Sequence, residues 1–188
     1  KQHPDALLYL HTVRGERGEG QGVNLPELLT YLGLVEGKDY LFCDQYTNLL
    51  GFPDAHMAAL YNAFDVHMLV SMGEGFGIPI LEAQSCGCPV IVGDWTSMSE
   101  LCFSGWKVAK SEAVKWWTPL AAYQYFPMTG AIVDRLKAAY EMRGNEEYRQ
   151  RARDGALAYD ADKVAEKYWR PVLDSIAQEL PKKLAVTP

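Results

Sequence analysis

The chain has 188 residues and a formal net charge of −6 at pH 7, which argues against a general nucleic-acid binder, since neutralising phosphates takes a basic face. A hydrophobic share of 48% and a charged share of 22% describe a globular chain with a sizeable core and exclude a disordered one. No run of 18 apolar residues occurs and the N-terminal KQHPDALLYL lacks a signal-peptide layout, so neither a membrane-spanning helix nor a leader is expected.

Lys1–Pro4 reads as the end of a helix and Ala6–His11 (ALLYLH) as a buried strand, an abrupt beginning for a domain. Residues Thr12–Val23 form a charged, Gly-rich loop whose glycines do not match a dinucleotide fingerprint; it is expected to be flexible. Arg14 and Arg17 are the guanidiniums near this strand end. They are read as solvated, with a phosphate contact as the alternative. Asn24 can cap a helix over 25–34, with Pro26 in its first turn, Gly33 near its end and an apolar stripe of Leu25, Leu28, Leu29 and Leu32.

Tyr40–Cys43 predicts the next strand, and Asp44–Pro53 a loop at its C-terminal end, where open α/β sheets bind ligands. Asp54 can cap a helix over 55–62 that packs Met57, Leu60, Tyr61 and Phe64 on the sheet. Val66–Val70 follows as a strand. His67 within it has no carboxylate or second ligand nearby in sequence and is read as structural.

Ser71–Pro89 (SMGEGFGIPILEAQSCGCP) lies between this strand and Val90–Val92, so the stretch predicts strand, Gly-rich turn, short helix and strand. Gly73, Gly75 and Gly77 allow a ligand close to the backbone. Pro79 suits the first position of a helix over 79–86 that Gly87 stops. Amides of Gly77, Ile78, Ile80 and Leu81 at that helix start favour an anion such as phosphate. Glu74 precedes the turn and Glu82, with seven residues between them, falls in the first helical turn. Carboxylates repel phosphate and accept strongly from hydroxyls, so the combination points to a sugar nucleotide.

Gly93–Ser99 is a further loop at the ligand-facing edge, Glu100-Leu101 opens a helical turn, and Trp106–Ala109 reads as the last strand. Between Lys110 and Gly130, Trp116, Trp117, Tyr123, Tyr125 and Phe126 cluster, with Pro119 and Pro127 breaking regular structure. A core-covering insertion is the favoured reading, a carbohydrate platform or partner interface the alternative. Helices follow from Ala131, with an interruption at Gly144, a charged stretch from Glu146 to Ala158, and a last helix capped by Asp160 or Asp162 that contains Pro171. Residues 181–188 read as a loose tail.

Cys43, Cys86, Cys88 and Cys102 are too few and too irregular for a disulfide framework or a tetrahedral zinc site, and fit reduced thiols in a cytoplasmic protein. No metal and no cofactor is expected. Strands alternate with helices and no hairpin turn signal joins any two, which predicts an α/β fold: a Rossmann-like parallel sheet flanked by helices.

The run Glu74-Gly75-Phe76-Gly77-Ile78-Pro79-Ile80-Leu81-Glu82-Ala83, followed by Cys86-Gly87-Cys88-Pro89-Val90-Ile91 and Glu100-Leu101, closely resembles the donor-site signature of retaining GT-B glycosyltransferases of family four. The resemblance implies that the chain is the C-terminal half of a GT-B fold, that Glu74 is the catalytic carboxylate beside the donor sugar, and that Glu82 binds ribose hydroxyls. Backbone around Gly75, Phe76, Gly77, Ile78 and Ile80 would hold sugar and diphosphate, and Tyr46 and Thr47 in the 44–53 loop would meet the base. Where the family often has glycines, this chain has Trp95, Thr96 and Ser97.

The resemblance further implies a nucleotide-diphosphate sugar as donor, metal-independent transfer, and an acceptor held mainly by an N-terminal domain outside these residues. The expected layout is a donor domain over 1–160, incomplete at its N-terminus, a helix over 161–180 that crosses to that other domain, and the tail. The 188 residues alone are expected to be inactive, because the cleft that excludes water needs both domains. A non-catalytic nucleotide-binding or interaction module is the alternative, and a GT-B sugar-nucleotide epimerase a more remote one.

Overall fold

The computed structural model describes residues 3–15, 23–119 and 121–184, with side chains up to residue 180. The chain forms two compact units, 1–57 and 58–188. Both are α/β, with parallel strands and flanking helices, as the alternation of patterns predicts.

In the first unit, β1 (Leu8–Leu10) pairs in parallel with β2 (Tyr40–Phe42), Leu8 opposite Tyr40 and Leu10 opposite Phe42. The crossover carries α1 (Leu25–Tyr31), where the Asn24 side chain accepts from the Glu27 N–H. The helix stops short of the expected Leu34. Gly33, at φ +71°, ends it: its N–H reaches Thr30 O and the Leu34 N–H reaches Leu29 O, so the last carbonyls are satisfied. Of the apolar stripe only Leu29 is buried, because two short strands cannot cover a whole helical face. The expected loop 44–53 instead contains α2 (Gln45–Leu50), started by Asp44, whose Oδ1 accepts from both the N–H and the hydroxyl of Thr47 at 2.7 Å. Next comes α3 (Asp54–Ala63), where Asp54 is the first helical residue and Pro53 O takes the cap position, accepting from the His56 and Met57 amides.

The second unit is built on β3 (His67–Leu69), β4 (Val90–Gly93) and β5 (Gly105–Val108), all parallel in the order β3-β4-β5. Val90, Ile91 and Val92 of the central strand are wholly buried, as expected for a strand covered on both faces. Gly105 permits the β4–β5 approach: a Cβ there would collide with Val90 O. Connecting helices are α4 (Ile78–Ser85) and α5 (Met98–Leu101). Further on, α6 (Thr129–Glu141) packs against β5 and α7 (Glu146–Ala156) against α4.

The 110–130 stretch corrects one expectation. It forms an antiparallel hairpin, β6 (Ala113–Trp117) with β7 (Tyr123–Pro127), so β5 is not the last strand. Its turn holds no glycine. Thr118 closes it instead, donating from N–H and hydroxyl to Ala122 O at 3.0 Å, and Ala121 takes the left-handed φ of +55°. Without an Asn-Gly or Gly-rich signal the hairpin was invisible to sequence pattern.

Asp160, not Asp162, caps the next helix, α8 (Ala161–Val164), through the Lys163 N–H. A π turn over Ala165–Trp169 leads into α9 (Arg170–Leu184). The wide turn precedes Pro171, which lacks the N–H that an α-helix would aim at Lys167 O. Of the 12–23 loop expected to be flexible, residues 16–22, Arg17 among them, lie outside the described residues, as does the end of the tail.

Candidate functional site

The segment after β3 runs through Glu74 to Gly77, whose φ of +94° and ψ of +50° turn the chain into α4. Only a residue without Cβ adopts this readily, and a Cβ there would also press on Ile80. Pro79 occupies the second helical position and Glu82 opens the second turn, one step later than the sequence suggests. Among the described residues the amides of Gly75, Phe76, Gly77 and Ile78 make no hydrogen bond, so they stand free at the positive end of α4. The Ile80 N–H is bound to Gly77 O at 3.0 Å and its side chain is core, which makes Ile80 an anchor of the turn.

Glu74 is held by its backbone from the loop after β4. Its N–H donates to Thr96 Oγ1 at 3.1 Å and its carbonyl accepts from Ser97 Oγ at 3.2 Å. The Thr96 hydroxyl in turn donates to Trp95 O at 2.8 Å, and Thr96 has a left-handed φ of +52°. Beneath them the buried Trp95 indole donates from Nε1 to Ser71 O at 3.0 Å and stacks on Tyr125, centroids 5.3 Å apart. The Glu74 carboxylate, half-buried, has no partner among the described residues. Trp95, Thr96 and Ser97 thus form a brace beneath the turn.

Glu82 accepts from the buried Tyr61 hydroxyl of α3 at Oε2, 3.2 Å away. Burial, reinforced by the Glu82 charge, raises the Tyr61 pKa, so the phenol stays protonated and donates. His67 lies edge-on to the Tyr61 ring at 5.5 Å. Among the described residues its buried Nε2 has no hydrogen-bond partner, and burial lowers its pKa to about 4. The ring is neutral near pH 7, and among the described residues no carboxylate bonds to it. Gln84, unremarked in the sequence, is wholly buried. Its amide donates to Ile80 O and Leu101 O, and its Oε1 accepts from the Phe103 and Ser104 amides. It ties α4 to the loop that follows α5.

Phe76 and Leu81 line a cavity of about 590 Å³ together with Ala158, Tyr159, Ala161, Val164 and Tyr168, with the Phe76 ring 6.1 Å from that of Tyr159. Tyr46 and Thr47 belong to the first unit, in the opening turn of α2. Tyr46 is 71% exposed, and the Thr47 hydroxyl is engaged by Asp44. Arg14 pairs with Glu36 and lies over the Phe42 ring. The thiols of Cys43, Cys86, Cys88 and Cys102 are free, and burial raises Cys88 to about 12 and Cys102 to about 11. Among the described residues no group of three or more His, Cys, Asp or Glu could hold a metal, and no helix is long and apolar enough to cross a membrane.

The family described as Glycosyl transferases group 1 matches residues 30–116, which include the whole turn, α4 and the Trp95–Ser97 brace. The chain is also similar to glycosyltransferases. It is 47% identical over 53 residues to the O-antigen chain mannosyltransferase B of Escherichia coli, covering 28% of this chain and 14% of that protein. With the D-inositol 3-phosphate glycosyltransferase of Pseudarthrobacter chlorophenolicus it shares 32% over 105 residues, 56% of this chain and 23% of the relative. The matched stretches thus span less than a quarter of either relative.

Proposed function

We propose that this chain is the donor-binding part of a retaining GT-B glycosyltransferase of family four, which takes a sugar from a nucleotide-diphosphate sugar. The observation that carries this reading is the turn from Glu74 to Ile78: four unengaged amides at the start of α4, with a braced Glu74 before them and Glu82 behind. Charge that develops on a departing diphosphate is stabilised by the Gly75–Ile78 amides and the helix dipole. The Glu74 carboxylate meets the sugar hydroxyls and fixes the donor carbon for attack, and Glu82 accepts from the ribose diol. Residues 1–160 form the Rossmann-like donor domain in this reading, and Tyr46 and Thr47 contribute near the base. No step in this scheme needs a metal. The buried thiols fit the cytoplasm.

The acceptor is held mainly by further chain of the parent protein, and these 188 residues bind donor without transferring it. Calorimetric titration of the chain with UDP, GDP and ADP tests the reading. Saturable binding of one nucleotide, weakened by Glu82→Ala, supports it and names the base; binding that ignores the substitution removes Glu82 from the site.

A further inference from the structure

The segment that leads to Glu74 is gripped at one backbone group after another. Ser71 O accepts from the Trp95 indole, and Met72 O from the Tyr125 N–H of β7, both at 3.0 Å. At Glu74 itself the N–H goes to Thr96 Oγ1 and the carbonyl takes the Ser97 hydroxyl. The grip ends there, since the Gly75–Ile78 amides are unengaged among the described residues. Fixed backbone carries the carboxylate, and open amides follow it.

A residue bonded through both its N–H and its carbonyl has the peptide planes on either side set, and with them the direction of its Cα–Cβ bond. Thr96 and Ser97 are adjacent, so one short segment supplies both of these bonds to Glu74. Thr96 holds a left-handed φ of +52° there, a conformation that a β-branched residue rarely adopts and that clusters at functional sites. Its side chain is exposed, so core packing does not impose the conformation. Its hydroxyl accepts from Glu74 and donates to Trp95 O, which pins the oxygen at two points. The strained residue is thus the one that grips the carboxylate-bearing position.

We propose that Thr96 and Ser97 are positioning residues that aim the Glu74 carboxylate and so decide which hydroxyl configuration of the donor sugar is accepted. The inference rests on the reading that the sugar of a nucleotide-diphosphate sugar lies beside Glu74, and both residues act through Glu74. A carboxylate held in one direction accepts from hydroxyls in one arrangement, and an epimer that turns a hydroxyl away leaves it unmatched. On a loose backbone the same carboxylate would follow either epimer. The diphosphate meets the Gly75–Ile78 amides, beyond the gripped backbone, so sugar and nucleotide are read by separate parts of the turn.

The test compares, by calorimetry on the 188-residue chain, UDP with UDP-glucose and UDP-galactose, and GDP and ADP each with their glucose and mannose forms. For the nucleotide that binds, the two epimeric sugar forms should differ at least about fivefold in affinity. Thr96→Val and Ser97→Ala should each bring the two within about twofold, with the bare nucleotide diphosphate losing distinctly less. Thr96→Ser keeps the hydroxyl and should retain the preference. In a Glu74→Ala chain, Thr96→Val should cost the nucleotide sugar no more than it costs the bare nucleotide, because no carboxylate is left to aim. Urea unfolding shows which variants are folded, and Ser97→Ala, at an ordinary φ of −61°, decides the matter if Thr96→Val is not. If a nucleotide binds and the parent chain accepts both epimers alike, or a folded Thr96→Val or Ser97→Ala keeps the preference, the inference fails and the donor reading stands. A loss equal for sugar form and bare nucleotide, with or without Glu74, marks a merely structural role and overturns it too. If no nucleotide binds, the donor reading falls and the inference with it.

Discussion

The Tyr61 hydroxyl donates to Glu82 Oε2 across 3.2 Å, and so one carboxylate oxygen is occupied from within the protein while the other has no partner among the described residues. A buried phenol fixes the carboxylate at low entropic cost and cannot titrate near neutrality, since burial and the Glu82 charge both raise its pKa. Tyr61 thereby decides which lone pairs Glu82 presents.

Tyr61→Phe keeps the ring and removes this bond. Nucleoside diphosphate affinity should fall about three- to tenfold, about 0.7–1.4 kcal/mol, because the lost bond orients Glu82 and does not itself touch the nucleotide. A nucleotide lacking the ribose 3′ hydroxyl should lose much less between the two proteins. Equal losses with both nucleotides would mean general damage instead of a mispositioned Glu82.

Thr96→Ala deletes the hydroxyl that accepts from the Glu74 amide and donates to Trp95 O, and leaves a Cβ at φ +52°. A cost of about 1–2 kcal/mol in urea unfolding is expected. Thr96→Gly should recover part of that stability by relieving the left-handed strain, yet should not recover nucleotide binding, because the brace on Glu74 is still missing.

Gln84→Leu has nearly the right volume and none of the right chemistry. It abandons the half-buried Phe103 amide, the buried Ser104 amide and the Leu101 carbonyl at once. A loss of at least about 3 kcal/mol follows, large among single substitutions, and the urea midpoint would report it.

His67 supplies a pH dependence whose sign is fixed. Its folded pKa, about 4, lies below the ordinary 6.5, so between those values the unfolded chain binds the extra proton. The stability contribution is complete above pH 6.5 and is lost as pH falls toward 4, up to ~3 kcal/mol. Thermal unfolding of His67→Leu should show a flatter profile across that window than the parent chain.

How much of this was legible follows from the range of each interaction. Gly77, Pro79 and Gly87 act within a turn of where they stand, so the helix they bound could be read from sequence to within a residue. Asn24 announced α1 in the same way, through a cap that reaches only to Glu27. What escaped acts at a distance: Tyr61 on Glu82 across 21 positions, Thr96 on Glu74 across 22, Gln84 on Ser104 across 20. Nothing local distinguishes these residues from ordinary helix or loop positions. Trp95, Thr96 and Ser97 drew notice only as a departure from glycine, and the structure gives that departure its use. The hairpin escaped for a local reason, since Thr118 and Ala121 do what glycine usually does. The α2 helix escaped because its cap, Asp44, opens a six-residue element too short for periodicity to reveal.

The chain carries five tryptophans, and Trp95 is the one wholly shielded from water. Its emission should therefore be blue-shifted and resist acrylamide, while Trp116, Trp117 and Trp169 are quenched. Because the same indole is bonded to Ser71 and stacked on Tyr125, any opening of the segment that carries Glu74 must wet it. The protein thus contains its own optical clock for that motion, readable against the exposed indoles without adding a label.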